Sequence, residues 1–558
     1  MAMLEVQDFD VTYLTKHSPP FQAVKKANLT VNEGEIVGLV GESGSGKSTL
    51  GNAAIRLLDP PGTITGGKAL FRGTDITLLD EEALRRLRWT EISTVFQGSM
   101  NALNPVINIE RQFRDAIQAH TNESDAGARR MAERTLEMVS IDPKYLSFFP
   151  HELSGGMKQR ICLALALVLE PKFVLLDEPT TGLDVVVQRS ILENLKELQQ
   201  RLGFSVLLIS HDLGAIMEVA DRVAVMRNGE IVETQSAQQL LQHPEHPYAL
   251  QLIDAYRELW LDPAVTDSPP EPVVPTTKLV PPAKDEPVVM RVEHLGKTFT
   301  RRRGLKASSV VAVDDVSFQL ERGRISALVG QSGSGKSTIA RLIMGMERND
   351  SGVIRFGETD VRTLSGRALR DYRSHVQMVF QDPYAALNPA HDILYSLMRP
   401  LQNYKGMSAR AARVRAVELL EQVGLTPAEQ YVHRNPHQLS GGQRQRVVVA
   451  RALAPEPEII IADEPTSMLD VSIRAEILEI LNRLVRDQGI AMLYITHDLL
   501  SARLLADDIM VLNQGRVVEQ GVSSEVIAHP RNDYTRLLLD SIPNPFAGLP
   551  VATVLDGD

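Results

Sequence analysis

Two copies of one eight-residue loop constrain this chain more than any other feature. Gly41-Glu42-Ser43-Gly44-Ser45-Gly46-Lys47-Ser48 fits G-x-x-x-x-G-K-[ST] at every fixed position. An apolar run, Ile36 to Val40, leads into it, and Thr49, Leu50, Asn52, Ala53, Ala54 and Ile55 continue as an expected helix. A phosphate cradle requires that strand–loop–helix setting. The glycines let backbone N–H groups turn inward, and the helix N-terminus adds the positive end of its dipole. Lys47 would then reach outer phosphates, with the Ser48 hydroxyl placed for Mg²⁺. An ordinary glycine-rich turn needs none of these coincidences. Gly330-Gln331-Ser332-Gly333-Ser334-Gly335-Lys336-Ser337, followed by Thr338, repeats the loop behind a second apolar run, Ile325 to Val329. Lys336 follows Lys47 by 289 residues, so the repeat unit is half the protein.

At 558 residues, 43% apolar and 23% charged, the chain can bury a substantial core in each half. A net charge of −11 argues against a nucleic-acid binder, because phosphate backbones reward basic surfaces. The single cysteine, Cys162, excludes disulfides and cysteine-ligated zinc or iron–sulfur sites within the chain. It sits in the apolar run Ile161 to Leu169 and is expected to be a core thiol. No run approaches the ~18 apolar residues of a membrane span. The N-terminus lacks the basic and apolar regions of a signal peptide, so a cytosolic protein is expected, with any membrane role exercised through partners.

Along the chain, Leu4 to Glu35 reads as a β-hairpin, with Asn32-Glu33-Gly34 as a turn and Tyr13 on the sheet, suited to stacking on an adenine ring. A β-rich piece follows α-helical Thr49 to Ile55, and then a short strand, Thr94-Val95-Phe96-Gln97, ends in an amide. From Ile109 to about Leu146 the pattern is helical, with Ile109, Phe113 and Ile117 on one face and Ala132, Leu136 and Val139 on another. Leu153-Ser154-Gly155-Gly156-Met157 opens a helix expected to run to about Glu170, with Ser154 as its N-cap. Phe173 to Glu178 is a buried-strand pattern ending in two acids, and Val206 to His211 is another ending in histidine. Leu259 to Pro287 carries eight prolines and reads as a semi-extended linker. The first half then replays in order: Phe299 for Tyr13, Gln381 for Gln97, Ser440-Gly441-Gly442-Gln443 for the Ser-Gly-Gly helix start, Asp463-Glu464 for the acids and His497 for His211. Phe299, Ser440, Asp463 and His497 all lie 286 residues beyond their counterparts. The expected organisation is a first domain over 1–258, a linker over 259–287 and a second domain over 288–558.

The set Gly41–Ser48, Gln97, Leu153–Met157, Asp177-Glu178 and His211 resembles the nucleotide-binding domain of ABC ATPases, where these are the Walker A, Q-loop, signature, Walker B and switch-histidine motifs. The resemblance covers nearly the whole chain outside the linker. It implies an α/β fold: two tandem RecA-like P-loop domains, each with a β-rich and a helical subdomain. Phosphoryl transfer to water needs the γ-phosphate oxygens neutralised and a water aligned behind them. Carried over residue by residue, Lys47 supplies charge, Ser48, Gln97 and Asp177 are Mg²⁺ ligands, Glu178 polarises the attacking water and His211 holds it or the γ-phosphate. Lys336, Ser337, Gln381, Asp463, Glu464 and His497 take the same roles in the second half. In the family two such domains close head to tail. The Lys47 site would be completed by Ser440, Gly441, Gly442 and Gln443, and the Lys336 site by Ser154, Gly155, Gly156 and Met157. Asp184 and Asp470 resemble the D-loop aspartates at that interface.

Two departures stand out: Met157 replaces the usual signature glutamine, and Phe299 lacks the Tyr13 hydroxyl. Neither removes a catalytic acid, so two hydrolytic sites of unequal rate are expected. The stretches Phe96-Gln97-Gly98-Ser99-Met100-Asn101-Ala102-Leu103-Asn104-Pro105 and Phe380-Gln381-Asp382-Pro383-Tyr384-Ala385-Ala386-Leu387-Asn388-Pro389 resemble the Q-loop regions of oligopeptide, dipeptide and nickel importer ATPases. So does His246-Pro247-Tyr248, of which the second half keeps Tyr534. The first half resembles the D-type subunit and the second the F-type. Many relatives carry a C-terminal iron–sulfur cluster; with one cysteine this chain is expected to carry none. The resemblance implies an ATP- and Mg²⁺-dependent importer subunit at the cytoplasmic face of the inner membrane. Its helical subdomains would dock on two permease subunits served by an extracytoplasmic substrate-binding protein. The competing reading is a soluble tandem ABC ATPase acting on ribosomes; those usually have a charged helical linker and basic extensions, and this chain has a Pro-rich linker and an acidic balance. A regulatory ATP-binding module without turnover is disfavoured by two complete sets of catalytic residues. The basic run Arg301-Arg302-Arg303 is expected to be a solvated loop.

Overall fold

The computed structural model describes residues 1–14, 19–98, 102–260, 288–303, 306–467, 469 and 471–546. The chain divides into two compact units, one formed by residues 1–258 with the C-terminal segment from Ile542, the other reaching to Ser541.

In the first unit β1 (Ala2–Tyr13) and β2 (Phe21–Asn32) form the expected hairpin, with Leu4 opposite Val31 and Val6 opposite Leu29. β3 (Ile36–Val40) enters the phosphate loop and α1 (Lys47–Ala54) leaves it. β4 (Gly62–Phe71) and β5 (Thr74–Asp75) complete an antiparallel sheet ordered β2-β1-β4-β5. After α2 (Glu81–Leu87) and β6 (Ile92–Val95) come α3 (Ile109–His120), α4 (Asp125–Met138) and α5 (Gly155–Leu167). The remainder is β7 (Phe173–Asp177), α6 (Val185–Leu202), β8 (Ser205–Ile209), α7 (Leu213–Val219), β9 (Arg222–Arg227), β10 (Glu230–Ser236), α8 (Ala237–Gln242) and α9 (Pro247–Trp260). The second sheet runs β10-β9-β3-β8-β7-β6, parallel except at β10.

Sequence pattern and position agree. β3, β7 and β8 are buried at every residue, as unbroken apolar runs covered on both faces must be. Phe9 from the hairpin, Val37 and Leu39 from β3, Leu50 from α1 and Leu207 from β8 share one core that joins the two sheets. At roughly 1.5–3 kcal/mol per buried large apolar side chain, that shared core fixes α1 between them. The helical stretch after Gln97 is two capped helices: Asn108 accepts from Arg111 N at 3.0 Å and Ser124 from Gly127 N at 3.1 Å. The Ser154 helix ends at Leu167, three residues earlier than the pattern predicts, with Glu170 at positive φ beyond it. Cys162 is buried, as expected of a core thiol.

The second unit repeats this order. β11 (Val288–Arg303) pairs with β12 (Lys306–Glu321), and β13 (Ile325–Val329) leads to α10 (Lys336–Ile343). β14 (Ser351–Phe356), β15 (Thr359–Asp360), α11 (Gly366–His375), β16 (Val376–Val379) and α12 (Pro383–Ala386) follow. α13 (Ile393–Lys405), α14 (Ala409–Gln422), α15 (Glu429–Val432) and α16 (Gly441–Leu453) form its helical part. The chain continues through β17 (Ile459–Asp463), α17 (Val471–Gln488), β18 (Ala491–Thr496), α18 (Leu499–Leu505), β19 (Asp508–Asn513), β20 (Arg516–Val522), α19 (Ser523–Ala528) and α20 (Asp533–Asp540). Its sheets are ordered β12-β11-β14-β15 and β16-β17-β18-β13-β19-β20. Arg301–Arg303 correct one expectation: they lie in β11, opposite Ser308, Ala307 and Lys306, because a β-ladder outlasts the charge pattern. Helix α9 runs to Trp260, past the expected linker start; the linker's residues 261–287 lie outside the described residues. No helix among the described residues is long and apolar enough to cross a membrane.

Candidate functional site

Each phosphate loop is shaped by backbone that only glycine tolerates. Gly46 caps α1 at φ +103°, and a Cβ there would lie 2.4 Å from the Ala23 carbonyl oxygen. Gly335 repeats this at φ +111°, with the Ala312 oxygen 2.2 Å from its would-be Cβ. Gly44 and Gly333, at the tips, have open space around them, and Ser43 and Ser332 are exposed. Inside each loop the lysine folds back on its own main chain. Lys47 Nζ donates to the carbonyls of Gly41 and Glu42, both at 2.7 Å, and Lys336 Nζ to those of Gly330 and Gln331 at 2.6 and 2.8 Å. The hydroxyls of Ser45 and Ser334 are buried without a hydrogen-bond partner. An orphaned buried hydroxyl in a glycine-rich loop at a helix N-terminus fits an anion's oxygens.

Ser48 Oγ donates to Asp177 Oδ1 at 2.9 Å, so two hard oxygen donors sit together beside Lys47. Ser337 makes the same bond to Asp463. One residue on, the chain turns sharply: Glu178 and Glu464 both adopt left-handed backbone, at φ +49° and +45°. Such strain in a non-glycine residue persists only where the surroundings impose it. The turn points each glutamate at an amide and an imidazole. Gln97 Nε2 donates to Glu178 Oε2 at 2.8 Å, Thr181 Oγ1 donates to the same oxygen at 2.9 Å, and His211 Nδ1 lies 3.6 Å from Oε1. Gln381 Nε2 donates to Glu464 Oε2 at 2.8 Å and His497 Nδ1 lies 3.3 Å from Oε1. Ser467, the counterpart of Thr181, instead bonds the Glu464 main-chain oxygen at 3.1 Å.

The two acids of each pair are driven apart. Burial pushes the Asp177 carboxyl up to about 6, with the Glu178 charge adding to it and the Ser48 bond opposing it. Burial pushes Glu178 the same way, but His211, Thr181 and Gln97 together outweigh it and hold that carboxyl at about 2. Asp463 is raised by burial, and Glu464 is lowered, its burial outweighed by His497 and Lys336. One acid of each pair thus stays ionised while the other is costly to ionise until a cation joins it.

Other sequence-picked residues lie as follows. Tyr13 reaches the loop helix, its hydroxyl 3.1 Å from Thr49 Oγ1. Phe299 has Lys297 Nζ 5.3 Å from its ring centroid. Ser154 caps α5, accepting from Met157 N at 3.3 Å. Ser440 caps α16 reciprocally: its Oγ accepts from Gln443 N at 3.2 Å while Gln443 Oε1 accepts from Ser440 N at 3.1 Å. Met157 cannot return that second bond. Gly156 and Gly442 permit close packing, a Cβ at either lying within 2.7 Å of Val187 or 2.6 Å of Ile473. Asp184 caps α6, accepting from Val187 N at 3.1 Å, and Asp470 lies outside the described residues.

Sequence reasoning missed one pair. Tyr248 and Tyr534, noticed only as subfamily markers, accept hydrogen bonds at 3.1 Å from the loop amides of Glu42 and Gln331 respectively. The signal was available: the two tyrosines lie 286 residues apart, the offset that Phe299, Ser440, Asp463 and His497 keep from their counterparts.

Comparison with known proteins bears on the family. The model of the ABC transporter family matches residues 24–181 and again 313–467. That of the oligopeptide/dipeptide transporter C-terminal region matches 232–308 and 518–553. The glutathione import ATP-binding protein GsiA of Escherichia coli O6:H1 is 38% identical over 97% of this chain and 89% of its own length. Its counterparts from Shigella flexneri and Escherichia coli K12 are 38% identical over the same shares. A solved dimeric ATP-binding cassette bound to ADP and phosphate is 32% identical and covers 42% of this chain and 98% of that one, at a TM-score of 0.38. Nothing in these matches supports action on ribosomes. With both halves matched by one model and full-length relatives on the import side, this chain belongs to the ABC transporter ATPases, as a two-domain ATPase of the importer type.

Proposed function

We propose that this chain hydrolyses ATP at two sites to power uptake of short peptides, with glutathione, the cargo in its relatives' names, as the first to test. The observation that carries the proposal is the duplicated set of phosphate loop, serine–aspartate pair and glutamate–glutamine–histidine cluster. In each half the loop N–H groups and lysine hold the β- and γ-phosphates, and Tyr13 or Phe299 stacks on the adenine. Ser48, Asp177 and Gln97, with Ser337, Asp463 and Gln381, are the oxygen donors that would hold Mg²⁺, and the Ser48–Asp177 pair fits such an ion. When bound, Mg²⁺ neutralises phosphate charge and orders the γ-phosphate. Glu178 and Glu464, ionised and aimed by their amide and imidazole partners, accept the proton of the attacking water. Gln97 and Gln381 give Nε2 to the glutamate, which leaves each amide oxygen for the ion. As the family resemblance implies, Ser440–Gln443 would complete the Lys47 site and Ser154–Met157 the Lys336 site. Closure on ATP and release after hydrolysis move two permease subunits at the inner face of the membrane, fed by an extracytoplasmic binding protein. That coupling works only through unequal ATP affinity of the two states.

The test is affinity purification of the tagged protein from gently solubilised membranes, then ATPase assay of the recovered assembly. Two multi-span permeases, with turnover stimulated by binding protein loaded with glutathione, are the expected result. Stimulation by other short peptides and not by glutathione would reassign the cargo, and recovery without permeases would overturn the importer reading.

A further inference from the structure

The described chain ends on its first unit. The second unit closes at Ser541, and residues 542–546 belong to the first. Ile542 and Pro543 are buried. The Pro543 carbonyl accepts a buried hydrogen bond from Tyr256 Oη at 3.1 Å, and Asn544 N donates to Glu218 Oε1 at 3.1 Å. Asn544 Oδ1 accepts from Phe546 N at 3.1 Å, turning the segment so that the Phe546 ring lies 6.3 Å from that of Tyr256 and 6.0 Å from the Arg257 guanidinium.

Both receiving elements bear on the site. Tyr256 belongs to α9 and Glu218 to α7, whose capping residue Asp212 directly follows His211. Seven residues cannot hold a helix in place by themselves, so neighbours set where α7 lies. From one side α6 holds it: Gln188 Nε2 donates to Asp212 Oδ2 at 2.6 Å and Lys196 Nζ to the Glu218 carbonyl at 2.8 Å. From the other come Tyr256 and residues 542–546. Gly214 makes the fit possible, since a Cβ there would lie 1.8 Å from Tyr256 Oη. The second unit is not built this way. At the 286-residue offset, Gly214, Glu218 and Tyr256 become Leu500, Leu504 and Ile542, and Leu504 is 56% exposed on α18. None of the three can accept or donate a side-chain hydrogen bond.

We propose that residues 542–546 form a strap that positions α7, and with it the His211 loop, in the first unit alone, with Tyr256 and Glu218 as its positioning residues. The catalytic part of this inference rests on the two-site reading above; the structural part does not.

The experiment compares the full-length protein, a chain ending at Ser541 and full-length Tyr256→Phe. Amide exchange of residues 213–219 is followed without nucleotide, and ATP turnover is measured in Glu464→Gln and Glu178→Gln backgrounds. Loss of the strap is expected to speed exchange across 213–219 about tenfold, the factor that one or two hydrogen bonds supply, with 499–505 unchanged. Turnover with Glu464→Gln should fall several-fold at unaltered KM for ATP, and turnover with Glu178→Gln should hold. Unchanged exchange at α7, or an equal loss in both backgrounds, would overturn the strap. Two backgrounds inactive before truncation would instead refute the two-site reading, and exchange would still decide the strap. If the shortened chain does not fold, Tyr256→Phe answers through the same exchange measurement.

Discussion

Removing a charge from the first site should stabilise the empty protein. Asp177 lies at the C-terminal edge of β7, where burial lifts its carboxyl from 3.8 to about 6. Each tenfold change in a protonation equilibrium is worth about 1.4 kcal/mol, so keeping Asp177 ionised in the folded, metal-free protein costs up to about 3 kcal/mol. The direction in pH follows. The folded carboxyl keeps its proton to higher pH than the unfolded one, so this group's contribution is intact below 3.8, declines as pH rises toward 6 and stays lost above that. Glu178 works in the opposite sense and elsewhere. Held at about 2 against an ordinary 4.5, it stabilises the fold above 4.5 and loses that contribution as pH falls toward 2. The window between 4.5 and 6 therefore carries the loss from Asp177, with that from Glu218, which burial also raises in the first unit, and the Asp177→Asn difference isolates the first of these.

Asp177→Asn keeps an oxygen to accept the Ser48 hydroxyl and removes the buried charge. With EDTA at pH 7.5, the first unit's thermal transition should rise by roughly 5 °C or more, at the 2–4 °C per kcal/mol typical of a domain this size. The decline in stability between pH 4.5 and 6 should flatten. Adding ATP and Mg²⁺ should raise the wild-type transition well above that of the variant, which has lost a metal ligand. Calorimetry of the empty protein decides the matter: a transition that falls or stays put in Asp177→Asn means the charge is paid for by contacts that the geometry does not contain.

Three further outcomes follow from the two halves. Glu178→Gln and Glu464→Gln should each cut steady-state ATP hydrolysis about tenfold or more while leaving ATP binding intact, and to different extents; full loss from one and none from the other would refute two working sites. Tyr248→Phe removes the hydroxyl that accepts the Glu42 amide and should weaken ATP affinity several-fold at little cost in stability, read by nucleotide titration. Met157→Gln gives α5 the reciprocal cap that Gln443 gives α16, and should raise the first unit's stability by about 0.5–1 kcal/mol in denaturant melts.

Much of this was readable beforehand for a physical reason: a phosphate loop is specified by backbone, and backbone needs are written as glycines at fixed spacing. Gly46 and Gly335 appear in the motif because nothing larger clears the carbonyls of Ala23 and Ala312. The fully buried strands β3, β7 and β8 were legible because both faces are covered, so their patterns are unbroken. What stayed hidden were contacts between distant segments. Tyr248 sits 206 residues from the amide it bonds, and no local pattern links them. The left-handed turn at Glu178 was equally silent, since glutamate has no preference for it; Gln97, Thr181 and His211 hold it there. Arg301–Arg303 misled because charge patterning describes side chains, whereas a β-ladder is a main-chain affair.

The differences between the halves are not scattered. The elements that grip phosphate are duplicated almost bond for bond, from the lysine's two carbonyls to the serine–aspartate pair and the loop tyrosines. Apart from Phe299 for Tyr13, where an aromatic ring is kept, divergence falls on residues that aim or tension the machinery. Thr181 gives Glu178 a third partner and Ser467 does not give Glu464 one; Gln443 closes a helix cap that Met157 leaves open; Gly214 and Glu218 receive a strap where Leu500 and Leu504 cannot. Binding energy for nucleotide comes from the first group and orientation of the attacking water from the second. It follows that the two sites should match in ATP affinity and part company in turnover. Unequal Kd with equal kcat, measured by single-site titration and single-turnover hydrolysis, is the one pattern this arrangement of bonds does not permit.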